Sequence, residues 1–345
     1  MAETRTVEVK SLVKVYSGDV KAVNGIDFSV QNGEFFGLLG PNGAGKSTTM
    51  KIMATLLRKT SGTVTVAGYD IDKHPMEVRR SIGFAMQEVG LDDLSTGRDF
   101  LITQGLLYGL PKKTSQARAE ELLELVGLIE AAKRKVGTYS GGMRRRLDLV
   151  SALMHSPPLV FLDEPTTGLD PQSRLAIWGY LEELNRQGTT VILTTQIMEE
   201  ADRLCQRIAI IDRGVIVAQG TAKTLKAEVG GDVVTLAVGS EATEGDSAAL
   251  MEKAKGLLAG RSYVTGVVPN GAELTVTVRN GNAVVPDIVR VLAESQVPIA
   301  NLSVASPSLD DVFLKHTGHK IRSDSTGGDE MNQAMKGMMG LNQRR

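Results

Sequence analysis

One cysteine, Cys205, is all the thiol in the 345-residue chain. No internal disulfide can form, which fits a reducing cytosol, and the thiol is expected to be a small buried apolar group. Charge of neither sign is in excess: 39 lysines and arginines meet 40 aspartates and glutamates, for a formal net charge of -1. The basic surplus of a nucleic-acid binder is missing, so no nucleic-acid partner is expected. No run approaches the roughly eighteen consecutive apolar residues that cross a bilayer. The opening residues, MAETRTVEVK, hold no apolar signal core. If a membrane is involved, another chain supplies it.

What is present is the make-up of an ordinary globular protein, 42% apolar and 23% charged. The length allows about two domains at roughly 150 residues each. Residues 5–70 alternate apolar and polar positions in short runs, such as VEVKSLVKVY and GTVTVAGYD, which predicts strands. The run EFFGLLG at 34–40 is continuously apolar and breaks into glycines ahead of a helix-forming stretch from Lys46. That predicts a buried strand, a tight loop and a helix. Residues 98–130 have helical periodicity. A second buried strand, PLVFLDEP at 158–165, a helix near 172–187 and the strands TTVILTT, IAIIDRG and VIVAQG follow. The alternation predicts an α/β core with a largely parallel sheet.

The first domain is expected over residues 5–225. From 230 the pattern restarts as a strand (GGDVVTLAV), a helix over 246–259, a hairpin VTGVVPNGAELTVTVRN, a helix over 284–295 and a strand NLSVAS. This order predicts a small split βαβ, ferredoxin-like α+β accessory domain over 230–318. Residues 319–345 are polar and glycine-containing and are expected to form a mobile tail. There Met331, Met335, Met338, Met339 and Leu341 fall on one arc at about 100° per residue, a stripe suited to an adaptable partner surface. Gly337 and Gly340 each weaken such a helix by about 1 kcal/mol, and a disordered tail is the competing expectation.

The strongest local pattern is Gly40-Pro41-Asn42-Gly43-Ala44-Gly45-Lys46-Ser47-Thr48, a full P-loop set between a strand and a helix. Its glycines let backbone N–H groups turn inward to phosphates, and the helix N-terminus adds partial positive charge. Lys46 can reach the β- and γ-phosphates, and the Ser47 hydroxyl can ligate Mg²⁺. Asp163 and Glu164 end the strand LVFL, where α/β sheets bind ligands. Asp163 suits Mg²⁺, and Glu164 suits a base that orients or deprotonates the attacking water.

Between them lies Tyr139-Ser140-Gly141-Gly142-Met143-Arg144-Arg145-Arg146, in which Ser140, Gly141 and Gly142 at a helix start make a second anion nest. One nucleotide does not need two such nests on one chain. Two chains arranged head to tail would use both, each Ser140 facing the other chain's γ-phosphate. Arg145 and Arg146 are expected on a solvated helix face.

The P-loop, SGGMRRR and LVFLDEPTTGLD, in this order and spacing, resemble the ATP-binding-cassette (ABC) ATPases over roughly residues 5–222. The resemblance implies a P-loop NTPase fold with a parallel core sheet, an antiparallel β subdomain and an α-helical subdomain, followed here by the small C-terminal domain. It implies ATP and Mg²⁺ as cofactors. A second copy in the nucleotide sandwich, a separately encoded membrane permease and a place on the cytoplasmic face of the membrane are likewise implied. Tyr16 looks like the aromatic residue that stacks on adenine, Gln87 like the glutamine contacting Mg²⁺, and Gly168-Leu169-Asp170 like the loop that contacts the opposite subunit.

One position departs from the pattern. After VILTT the family usually has a histidine that contacts the γ-phosphate, whereas this chain has Gln196, which can donate a hydrogen bond but carries no proton charge near neutrality. None of His74, His155, His316 and His319 is near in sequence. This form, and the segment PSLDDVFLKHTG at 307–318, resemble the drug-exporter branch of the daunorubicin type. The implied function is the ATPase subunit of an exporter for a drug, lipid or other hydrophobic substrate. An importer ATPase is the alternative, and a soluble cassette ATPase acting on ribosomes or DNA is a lesser one, because such proteins usually carry two cassettes or a long coiled coil.

Overall fold

The computed structural model describes residues 5–86, 90–238, 247–270 and 273–319. Its first strands are β1 (Arg5–Tyr16), β2 (Val20–Gln31), β3 (Phe35–Leu39), β4 (Ser61–Val66), β5 (Tyr69–Asp70) and β6 (Ile82–Ala85). After a helical stretch come β7 (Leu159–Asp163), β8 (Thr190–Thr195), β9 (Arg207–Asp212) and β10 (Val215–Gly220). The last four are β11 (Asp232–Val238), β12 (Val264–Asn270), β13 (Glu273–Val278) and β14 (Ile299–Ala305).

Six strands form the central sheet in the order β10-β9-β3-β8-β7-β6, parallel throughout except for the β10–β9 hairpin at one edge. Strands β3, β7 and β8 are buried at every position, so their continuous apolar runs serve two faces at once. Phe35, Leu39, Val160 and Leu162 point into a large core covered by helices. Phe36, Leu38, Leu159 and Phe161 point the other way, into a second core closed by helix Lys46–Met53 and an antiparallel sheet of order β2-β1-β4-β5. The helical stretch comprises Gly97–Leu107, Lys112–Leu125 and Gly141–Ser151. Cys205 is buried, and burial pushes its thiol pKa well up. A side chain at Gly37 would bring its Cβ within 2.6 Å of the Cys205 sulfur, so this cysteine fills the gap a glycine leaves.

The third sheet, β12-β13-β11-β14, is antiparallel, with helices Ser247–Ala259 and Gly281–Glu294 and a core of its own. The second of these helices begins ahead of the sequence expectation. Its first residue, Gly281, donates its N–H to the Asp232 carboxylate and sits where a Cβ would press on Asp232 and Val304.

A further helix, Leu309–Thr317, starts at a Ser308/Asp311 capping box and returns to the large core, where Leu309, Val312 and Phe313 are buried. It packs on helix Ala222–Val229, and the Lys315 ammonium donates to the Glu228 carbonyl. The methionine stripe of residues 331–341 lies outside the described residues.

Candidate active site

The turn from β3 into helix Lys46–Met53 is built for close backbone approach. Gly45 has φ +105°, and a Cβ there would lie 2.4 Å from the Ala22 carbonyl oxygen. At Gly40 a Cβ would fall 2.1 Å from the Ile211 carbonyl oxygen, so neither position accepts a side chain. Lys46 is 4% exposed. Its ammonium donates to the Gly40 and Pro41 carbonyls at 2.9 and 3.0 Å and lies 3.2 Å from Glu164 Oε1. Burial lowers its pKa, and the Glu164 carboxylate opposes that shift. Tyr16 is 41% exposed at the rim, its hydroxyl 3.4 Å from Thr48 Oγ1 and the Lys14 ammonium 5.1 Å from its ring centroid.

Asp163 and Glu164 stand at the carboxyl end of β7, facing the P-loop. Asp163 Oδ1 accepts from the Ser47 hydroxyl at 2.9 Å and the Thr194 hydroxyl at 2.5 Å. Its second oxygen, Oδ2, is buried and accepts no hydrogen bond among the described residues. An ionised carboxylate oxygen out of water and without a donor is costly, and a cation beside Ser47 would satisfy it. Hydroxyl and carboxylate oxygens are the donors Mg²⁺ takes, with substrate phosphates and water completing its shell. Among the described residues no group of three or more acidic, histidine or cysteine side chains is placed to hold a metal ion.

Glu164 is 4% exposed and has φ 50°, the left-handed region. For a residue with a side chain this costs roughly 1–2 kcal/mol. Its N–H is held by both the carbonyl and the hydroxyl of Thr194 at 3.1 Å, and its carboxylate accepts from Thr167 Oγ1 at 3.3 Å. The carboxylate is therefore fixed, and Lys46 is the one cation within ion-pair distance of it among the described residues.

Gln196 follows the last residue of β8, half-buried, and its amide makes no hydrogen bond among the described residues. Ser140 is exposed and N-caps helix Gly141–Ser151 by accepting from the Met143 N–H at 3.3 Å; Gly141 is exposed with it and Gly142 half-buried. Asp170 is exposed and caps helix Pro171–Arg186 through the Ser173 hydroxyl and N–H, bonds that hold its pKa below the usual range. Gln87 lies outside the described residues.

Thr194 and Glu200, which sequence patterns did not single out, and Arg145, which was expected on a solvated face, belong to this neighbourhood. Thr194 holds both Asp163 and Glu164, and only the register Asp163↔Thr194 between β7 and β8 brings it there. Glu200 is 1% exposed, accepts from Thr166 at 2.7 Å and from the Trp178 indole at 2.9 Å, and has its pKa raised by burial. Arg145 corrects the expectation of a solvated face, being 5% exposed with every bond directed inward to the end of β7 and to neighbouring groups. Arg146 is half-buried and donates to the Val126 carbonyl at 2.7 Å. The legible signal was the charge pair Arg145 and Asp148, one turn apart amid the buried Leu147, Leu149 and Val150.

A phosphate-binding loop above two buried acids at the carboxyl end of a parallel sheet defines a P-loop nucleotide hydrolase. The comparisons narrow the class: residues 23–167 match the family described as ABC transporter, and residues 220–317 match that of the "ATP-binding protein DrrA1-3-like, C-terminal domain". The doxorubicin resistance ATP-binding protein DrrA of Mycobacterium tuberculosis is 42% identical over 90% of this chain and 93% of its own. The daunorubicin/doxorubicin resistance ATP-binding protein DrrA of Streptomyces peucetius is 40% identical over 94% of this chain and 96% of its own. Among solved structures, a dimeric ATP-binding cassette in a post-hydrolysis state with ADP and Pi superposes with TM-score 0.59 at 27% identity, covering 62% of this chain and 98% of that one. The chain belongs to the ABC transporter ATP-binding subunits and is an ATPase. No helix among the described residues is long and apolar enough to cross a membrane.

Proposed function

We propose that this chain is the nucleotide-binding subunit of an ABC exporter for a hydrophobic natural product, working as a head-to-tail pair beneath a separate membrane permease on the cytoplasmic face. Relatives named for resistance to doxorubicin and to linearmycin, and for Nod factor export, support export. The ATP-binding unit is read over 5–225 and the accessory sheet with its two helices over 230–305, while helix Leu309–Thr317, expected within the accessory unit, packs back on the ATP-binding unit.

The observation that carries the catalytic assignment is the buried contact between Lys46 and Glu164 beside the unpartnered Asp163 oxygen. Triphosphate entering the P-loop offers Lys46 a stronger anion than Glu164, and Lys46 turns to the β- and γ-phosphates. Glu164 is then left without its cation, beside the γ-phosphate, with a carboxylate oxygen free to take a proton from water. Ser47 and Asp163 would hold Mg²⁺, which when bound neutralises phosphate charge. Gln196 donates an uncharged N–H to the γ-phosphate, and Tyr16 offers its exposed ring face to adenine.

Exposure of Ser140, Gly141 and Asp170 suits groups that act on a nucleotide held by another copy. The γ-phosphate then bridges two chains, and its hydrolysis removes the bridge. Glu164→Gln is expected to keep ATP binding and lose about 10²–10⁴ in turnover, accumulating a nucleotide-bound dimer in size-exclusion chromatography. Steady-state ATPase near the wild-type rate would defeat the assignment of Glu164. Isolation of the co-purifying membrane protein, followed by transport in vesicles, tests export.

A further inference from the structure

The guanidinium of Arg145 is spent entirely on groups around the catalytic carboxylates. Its Nε donates to the Pro165 carbonyl at 2.9 Å, and Nη2 donates to the carbonyls of Asp163 and Glu164 at 2.8 and 2.9 Å. Nη1 donates to the Met86 carbonyl and, at 3.4 Å, to Asp148 Oδ2. An arginine has five N–H donors in a fixed planar fork, and each is used. Three successive carbonyls, of Asp163, Glu164 and Pro165, turn toward one cation while Glu164 takes its left-handed φ of 50°. Carbonyls packed this closely repel one another, and a buried positive fork removes the repulsion. The helix carrying Arg145 is the one Ser140 caps, so one side chain joins the start of that helix to the backbone of Glu164 and to the end of β6.

We infer that Arg145 is a positioning residue for hydrolysis: from the helix capped by Ser140, it fixes the backbone of Glu164 so that the carboxylate meets the attacking water. This rests on the reading of Glu164 as the base. The hydrogen bonds of Arg145 go to Met86, Asp148, Asp163, Glu164 and Pro165 and to no residue of the P-loop, so the loss on substitution is expected in kcat and not in ATP binding. Lysine keeps the charge but, with three donors around a single nitrogen, cannot reproduce the fork.

The test is a double-mutant cycle read by single-turnover hydrolysis and by equilibrium ATP binding. Arg145→Lys is expected to lower kcat about ten- to a hundredfold, since a displaced catalytic group loses up to about a hundredfold, with ATP affinity within about twofold. In the Glu164→Gln background the same substitution is expected to change the residual rate by less than about threefold, because a residue acting through Glu164 has little left to affect. A full repeat of the loss in that background overturns the proposal, as does unchanged kcat in the single variant. Glu164→Gln turning over near the wild-type rate defeats the base assignment, and this proposal with it, by a different measurement.

Removing one member of a buried ion pair can unfold a protein, so Arg145→Gln with Asp148→Asn, which removes both charges together, serves as a second variant. It is expected to show the same loss of kcat with intact ATP binding. Retention of kcat there overturns the proposal.

Discussion

Gln196 gives the sharpest separation of catalysis from stability. Its amide makes no hydrogen bond among the described residues, and it stands just past the end of β8. Gln196→Ala therefore breaks no internal bond, and unfolding stability should stay within about 0.5 kcal/mol of wild type. A hydrogen bond to a charged partner such as the γ-phosphate contributes about 1.5–3 kcal/mol. At about 1.4 kcal/mol per decade this predicts a ten- to hundredfold slower kcat. Nucleotide binding, carried by the P-loop, should survive. Glutamine does not titrate, so this contact is constant from about pH 5 to 8, whereas Gln196→His should remain active and acquire a new inflection in that window. The assay is kcat against pH for the three proteins, with a denaturant titration of each. If Gln196→Ala matches wild type at every pH, the amide has no part at the phosphate. A loss of rate matched by a loss of stability would mean the side chain supports the fold instead.

Tyr16→Ala should weaken ATP binding, since stacking on a base contributes roughly 1–3 kcal/mol; unchanged affinity by equilibrium titration would mean the ring only covers the rim. Burial pushes the Asp148 carboxyl up to about 6 from 3.8, against the pull of Arg145. The folded form thus binds the proton more tightly, so the contribution of Asp148 to stability is full below about pH 4 and is lost as pH rises through about 6. Asp148→Asn should flatten that part of the stability–pH curve, and an unaltered slope would refute the cause. Phe313, fully buried in the large core, should lose about 3–5 kcal/mol on Phe313→Ala; a denaturation midpoint equal to wild type would mean that the last helix does not dock.

The P-loop was legible because its chemistry is contiguous: a strand, turning glycines, a lysine and a hydroxyl lie within a few residues, and each has a local reason. The acids after LVFL were legible for the same reason. Thr194 was not, since its role depends on register between β7 and β8, whose partners Asp163 and Thr194 are far apart in the chain. Arg145 failed through composition, because a run of three arginines reads as a wet helix face. Successive residues advance by about 100° around a helix, so such a run cannot all face the same way. The middle arginine meets the core side, and only the tertiary structure supplies the carbonyls that accept from it.

The accessory sheet posed a similar problem of long-range placement. Its strand order follows from local pattern, but the destination of the final helix does not. The chain leaves the large core at helix Ala222–Val229 and comes back to it at helix Leu309–Thr317, and the two helices pack together. The third sheet is thereby tied at both ends to one spot on the ATPase unit. A unit held by a single linker would sample many orientations; one held at both ends loses most of that freedom. His319, just past the last helix, has its Nε2 3.4 Å from Asp212 Oδ2 at the end of β9, and β9 pairs directly with β3, the strand that leads into the P-loop. This contact sets the end of the last helix beside β9, one strand in from the edge of the central sheet and next to β3.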